Sequence, residues 1–203
     1  ACHPTSSVNK NSVNADYIHN IRQSIRQEYA NKNLPVLFLQ GFSGDTRPCC
    51  VREDGHDFIN FTNDEFINWS NSLSNIVRLT LKNLEKINYK EIIIKLDKLD
   101  YAKIIDSKEY TGLIYFHKII LGKILFLGVS AEVVTYYANY IKEKYKDFIV
   151  IPVSCANGMF GYTPTDEMLR NGGYEAGDFF SAFGINAHFK LKITNQINDM
   201  LIS

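Results

Sequence analysis

Apolar positions recur at helical spacing early in the chain. Tyr17, Ile18, Ile21, Ile25 and Tyr29 predict a helix over about residues 15–30, ended by Asn31 to Asn33. Leu34-Pro-Val-Leu-Phe-Leu is short, apolar and bounded by turn residues, so it reads as a buried strand running into the Gly-rich loop Gln40-Gly-Phe-Ser-Gly-Asp-Thr-Arg-Pro. Thr62-Asn-Asp-Glu65 has the spacing of a capping box just ahead of Phe66, Ile67 and Trp69, and predicts a helix to about Glu85. Ile92 to Leu96, Leu113 to Phe116, Ile119 to Val129 and Phe148 to Ser154 read as strands. Between the last two, Ser130 is placed to cap a helix through about Lys146, with Val133, Val134, Tyr137 and Ile141 as its apolar stripe. A Gly-rich loop over Asn157 to Gly177 and an amphipathic helix over about Asn186 to Leu201 complete the pattern. Strands alternating with helices, with no repeat and no linker, predict an α/β domain of layered sheets and helices over residues 1–203.

Composition narrows the function classes. Apolar residues are 45% of the 203, enough for a substantial core. The 22 basic and 22 acidic residues balance, which gives no electrostatic reason to seek nucleic acid or an anionic membrane. No run of apolar residues reaches the ~18 needed to span a bilayer. Cys2, Cys49, Cys50 and Cys155 form neither a zinc-finger spacing nor a small disulfide scaffold, and read as free thiols suited to a reducing compartment.

Four places carry candidate chemistry. They are His3-Pro-Thr-Ser, the loop holding Asp45 and Arg47, the stretch Asn157 to Glu175 with Tyr162 and Tyr174, and Glu132. Imidazole and carboxylate are natural zinc ligands. A carboxylate directly after a strongly apolar strand is costly unless it is paired or bound to a metal. Each residue also has an ordinary reading: His3 at a mobile chain end, Glu132 in the first turn of a helix, Asp45 and Arg47 in a turn with a surface ion pair, and the two tyrosines in the core.

Taken together, the segments resemble the neutral/alkaline non-lysosomal ceramidase family. Ala1-Cys-His-Pro-Thr-Ser is similar to the family's His-Pro-Thr-Ser segment. Phe38-Leu-Gln-Gly-Phe-Ser-Gly-Asp is similar to its Gly-Asp loop, and Leu125-Phe-Leu-Gly-Val-Ser-Ala-Glu132 to its segment ending in Pro-Gly-Glu. Asn157-Gly-Met-Phe-Gly-Tyr-Thr-Pro-Thr, followed by Gly172-Gly-Tyr-Glu, is similar to its tyrosine-bearing loops, in the family's order. The resemblance implies a ceramidase-like catalytic fold and a zinc-dependent amide hydrolase acting on a small amide or lipid-like substrate. It implies His3, Glu132 and Tyr162 as zinc ligands, Tyr174 as the contact to the reacting amide, and Asp45 and Arg47 beside the reaction.

Two departures qualify it. Arg47 stands where the family has a serine tied to catalysis; a guanidinium is no nucleophile but binds carboxylate or phosphate. An anionic amide suits it better than ceramide, and loss of hydrolysis in favour of a binding role, or a different substrate class on the same fold, are the alternatives. The family's first zinc histidine lies upstream of the His-Pro-Thr-Ser motif, and His19, His56, His117 and His188 match no family ligand. Residues 1–203 are therefore expected to be the C-terminal part of a larger zinc hydrolase domain, completed by a missing N-terminal segment or a companion chain.

Overall fold

The structure, a computed structural model, describes residues 1–8, 11, 13–48 and 59–203. Cys49, Cys50 and His56 lie outside the described residues. The chain forms two compact units.

The first comprises Cys2–Phe38 and Arg47–Ile87 and is helical. Helix α1 spans Asp16–Glu28 and α2 spans Asn63–Thr80, followed by a 3-10 turn at Leu81–Asn83. The capping box is present as the sequence predicts. The Thr62 hydroxyl accepts from the Glu65 amide, and the Glu65 carboxylate accepts from the Thr62 amide at 2.7 Å. The helices pack through Tyr17 edge-on to Trp69, and Phe61 stacks on the same indole. Small residues allow close approach between them: Ser70 is fully buried and its hydroxyl accepts from Asn20 at 2.6 Å.

The segment Leu34 to Leu39 is not a strand. It runs irregularly, with Leu37 88% exposed, and two of its carbonyls are satisfied by side chains instead of a ladder. Arg22 Nε donates to Val36 O and Arg26 Nε to Leu34 O. An apolar run reads as a strand in sequence, but a strand needs a partner, and none of the described segments pairs with this one.

The second unit comprises Ala1, Leu39–Thr46 and Asn88–Ser203. Its frame is a four-stranded sheet in the order β1-β3-β4-β6. Strand β1 is Ile92–Asp100, followed by α3 (Tyr101–Ile104) and the short β2 (Ile105–Asp106). Strand β3 is Leu113–Leu121 and β4 is Ile124–Val129, a hairpin turning at Gly122, where the sequence suggested one apolar strand from Ile119 onward. After β4 come a two-residue strand β5 (Glu132–Val133), helix α4 (Thr135–Lys144) and β6 (Ile149–Val153), which returns parallel to β4. Helix α4 thus begins five residues later than Ser130; the Ser130 hydroxyl instead accepts from the Tyr115 amide.

The Gly-rich loop holds β7 (Tyr162–Thr163), α5 (Asp166–Asn171), a wide helical turn at Tyr174–Asp178 and α6 (Phe179–Ala182). Strand β8 (His188–Phe189) pairs with β2, and α7 starts at Ile193, later than predicted, and ends at Ile202. Tyr137 and Ile141 of α4, with Ile193, Ile197 and Leu201 of α7, pack on one sheet face against Phe116, Leu127 and Val129, forming the core. Among the described residues, no helix is long and apolar enough to cross a membrane.

Thr62→Ala should lower the unfolding free energy of the helical unit by about 1 kcal/mol, the usual worth of such a cap. Denaturant unfolding followed by Trp69 fluorescence checks this; an unchanged midpoint would mean that the box contributes nothing.

Candidate functional site

The site in the sheet unit is built on the segment from Ser130 to Val133, which leaves the end of β4 and is hydrogen-bonded on several sides. On one side, the Cys155 amide donates to Ala131 O and the Ala156 amide to Val129 O. On the other, Phe160 N donates to Ser130 O and Glu132 N to Gly161 O, which brings β7 alongside and places Glu132 opposite Tyr162. Ser154 Oγ accepts from Val133 N at 3.2 Å. The Gly-Asp loop closes the set, with Gly44 N donating to Val133 O at 2.8 Å.

Two glycines are required here. A Cβ on Gly44 would stand 3.1 Å from Glu132 O, and one on Gly161 would stand 2.6 Å from the Phe179 ring. Gly161 also has φ +121, a conformation that L side chains rarely adopt.

This framework points Glu132 and Tyr162 into a cleft of about 430 Å³. Tyr110, Phe160 and Phe179 wall it, and the exposed Met159, Tyr174 and Phe183 form its rim. Glu132 Oε2 is shielded from solvent. The Tyr162 hydroxyl donates to the Glu132 carboxylate, and the phenol's pKa is raised well above the usual tyrosine value. Burial is the main cause, followed by that hydrogen bond and the Glu132 charge. Tyr174 lies edge-on to Tyr162, ring centroids 5.6 Å apart, and both contact Phe179. The aromatic wall is continuous: Phe160 meets Tyr101 and Tyr110, Phe180 meets Tyr110, and the Tyr110 hydroxyl donates to Phe160 O.

The other sequence candidates sit as follows. The carboxylate of Asp45 accepts from Thr135 N at 2.7 Å and from Thr135 Oγ1 at 2.8 Å. It therefore caps α4, whose own N-cap residue, Val134, has no side chain able to do so. Asp45 is tied to the site through the loop that braces Glu132. His3 and Arg47 belong to the helical unit. His3 is half-buried, and its neighbour Cys2 accepts at its carbonyl from the Tyr17 hydroxyl at 2.8 Å. Ser6 and Ser7 of the same motif donate to the buried Asp16 carboxylate. Arg47 opens on a small polar hollow with Thr5, Ser6 and Asn60. Sequence reading missed Asp16 and Ser154 as anchors, because a buried Asp at a helix start and a Ser at a strand end look like ordinary caps.

Among the described residues, no group of three or more His, Cys, Asp and Glu side chains converges. Glu132 and Tyr162 supply two oxygen donors, and their chemistry suits a divalent cation, whose charge would offset the high pKa of the phenol. A zinc centre normally draws three or four protein ligands, more than these two. His117 instead contacts Asn157, and His188 faces Asp106 at 3.5 Å in an exposed pair.

Cys155 is in no disulfide with a described residue. Crowding around the Cys155 sulfur, with the Glu132 charge second, pushes its pKa up to about 11. Glu132→Gln should therefore lower that pKa and speed alkylation of Cys155 at pH 8 by roughly two- to fivefold, since each pKa unit is a tenfold change in thiolate. Peptide mass mapping of the alkylated thiol reads the rate; no change would mean that Glu132 carries no charge beside it.

No family profile and no curated protein sequence matches the chain. Its fold is similar to that of the crystal structure of neutral ceramidase from Pseudomonas aeruginosa, with a TM-score of 0.63 at 12% sequence identity. The match covers 99% of this chain and 42% of that one, so this chain spans less than half the length of its structural neighbour. The architecture is a mixed α/β fold like that found in neutral ceramidase.

Proposed function

We propose that the chain is the C-terminal part of a zinc-dependent hydrolase domain that cleaves an N-acyl amide bond. The observation that carries this reading is the Glu132–Tyr162 pair, carboxylate and phenol joined by a hydrogen bond in an apolar cleft with Tyr174 at its rim. The ceramidase-like fold is consistent with it. Zinc would be held by Glu132 and Tyr162, with a nitrogen ligand completing the set. Bound there, it would supply an acidified water as nucleophile, with a pKa towards ~7. The chain's own residues do the rest. The apolar walls hold the acyl portion and exclude bulk water, which strengthens polar contacts to the reacting group. Tyr174 donates its hydroxyl proton as a hydrogen bond to the amide oxygen as charge develops there. Asp45, through the Gly44 contact and the α4 cap, keeps Glu132 in place.

The domain is completed, in this reading, by polypeptide outside residues 1–203 that supplies another histidine ligand. The 42% coverage of the structural neighbour supports this.

Glu132→Gln and Tyr162→Phe should each weaken zinc binding in calorimetry by about tenfold or more. Tyr174→Phe should leave zinc binding intact and lower kcat on N-acyl amides by ~100-fold, the usual loss of one oxyanion donor. Stoichiometric zinc binding that both ligand variants leave unaffected would overturn the ligand set, and a chain that binds no zinc and cleaves no amide would sink the hydrolase reading.

Arg47 carries a separate expectation about substrate. The hollow beside it holds about 20 Å³, enough for a carboxylate oxygen but not an acyl chain. Arg47→Ala should raise KM for an anionic N-acyl amide by about tenfold and leave a neutral amide unaffected; equal effects on both would exclude anion recognition by this residue.

A further inference from the structure

The thiol of Cys155 lies against the thioether of Met159, Sγ to Sδ 3.6 Å. No helix joins the two residues; the loop between them folds back on itself. Its start leaves β6 and is held where Cys155 N donates to Ala131 O at 3.0 Å and Ala156 N to Val129 O at 2.9 Å. Its end is held where Phe160 N donates to Ser130 O at 2.8 Å. Both ends are thus pinned to the same stretch, Val129 to Ala131. Between them Cys155 and Asn157 take left-handed backbone angles, φ +55 and +58, which cost residues other than glycine about 1–3 kcal/mol each. Gly158 passes so close to Ser130 that a Cβ on it would stand 3.2 Å from the Ser130 side chain. The backbone, not packing of the side chains, therefore sets the two sulfurs side by side.

Neither sulfur takes part in the proposed hydrolysis, and a thiol donating to a thioether is too weak a contact to shape a loop. What the two groups share is softness: thiolate and thioether are the donors that select copper(I). An ion about 2.3 Å from each, the length of a metal–thiolate bond, reaches both at their present separation by sitting to one side of the line between them. The Glu132 carboxylate is near enough for its charge to act on the Cys155 sulfur, and a negative charge beside the pair favours a cation. We infer that Cys155 and Met159 together bind a soft monovalent metal ion of the copper(I) class, through sulfur and apart from the Glu132–Tyr162 oxygens. On binding, the Cys155 thiol loses its proton to solvent, and thiolate and thioether each donate a lone pair to the ion; no electron changes hands. The inference depends on neither zinc nor amide hydrolysis.

The test is a titration with silver(I), soft and monovalent like copper(I) but inert to air. It uses the full chain carrying Cys2→Ser, Cys49→Ser and Cys50→Ser, so that Cys155 is the remaining thiol of the four. Carbon-13 labelling of the methionine methyls gives three signals, from Met159, Met168 and Met200. The signal absent from Met159→Leu is that of Met159. It should move on adding silver and saturate at one equivalent, while those of Met168 and Met200, packed on the core, stay in place and report that the fold is kept. Cys155→Ser should abolish the movement, and so should alkylation of Cys155 without that substitution. Met159→Leu should weaken silver binding in calorimetry by about tenfold or more. Silver held at Cys155 with the Met159 signal unmoved, an affinity unchanged by Met159→Leu, a silver response that survives Cys155→Ser, or no binding overturns the inference. Zinc at the oxygens would instead give a response that survives Cys155→Ser and is lost in Tyr162→Phe, so the two readings fail separately.

Discussion

The segment Ser130–Val133 is the part on which the site depends. It has too few residues to be a stable strand by itself, yet its backbone is matched on one side by Cys155 and Ala156, on the other by Phe160 and Gly161, and at its end by Gly44. Unmatched buried peptide groups cost roughly 1–3 kcal/mol each, so these bonds decide where the flanking loops can lie. Two chain regions distant in sequence, around residue 44 and over 155–161, are thereby set against one segment. Glu132 is oriented by its neighbours' backbone more than by its own secondary structure.

Packing fixes what the hydrogen bonds leave free. Phe160, Phe179, Phe180 and Phe189 form a connected aromatic cluster behind the Tyr162 bridge. Gly161 lies so close to the Phe179 ring that any side chain would force the two apart. The same cluster explains the electrostatics of the site. It removes water from around Tyr162 and so keeps the phenol protonated beside a carboxylate. The pair is a phenol donor and a carboxylate acceptor whose oxygens are held close together.

Much of this was legible in the sequence where the signal was local. The Thr62–Glu65 box is a contact between residues three apart, and the helix appears where it predicts. The continuous apolar runs at Ile92, Ile124 and Ile149 yield strands for the same reason. Reading failed where the outcome depends on distant partners. Leu34 to Leu39 has strand composition but no pairing strand, and arginines of α1 take its carbonyls. Ser130 looks like a helix cap, but its hydroxyl is used by Tyr115, and α4 waits for a cap from Asp45, ninety residues away. The grouping of Glu132, Tyr162 and Tyr174 was reached through a family resemblance, since no spacing rule brings residues 132 and 162 together. His3 and Arg47 belong to the other unit.

The bridge that holds Glu132 against Tyr162 is two residues long, whereas the rim residues Met159 and Phe183 make no part of it. The donor pair and the outermost rim positions are therefore different residues, although the walls and the pair share the stretch from Phe160 to Tyr162. The rim can exchange side chains, and with them the shape and polarity of the ligand admitted, without loosening the carboxylate–phenol pair. A fold of this kind can vary its cleft rim while the carboxylate–phenol pair stays where it is.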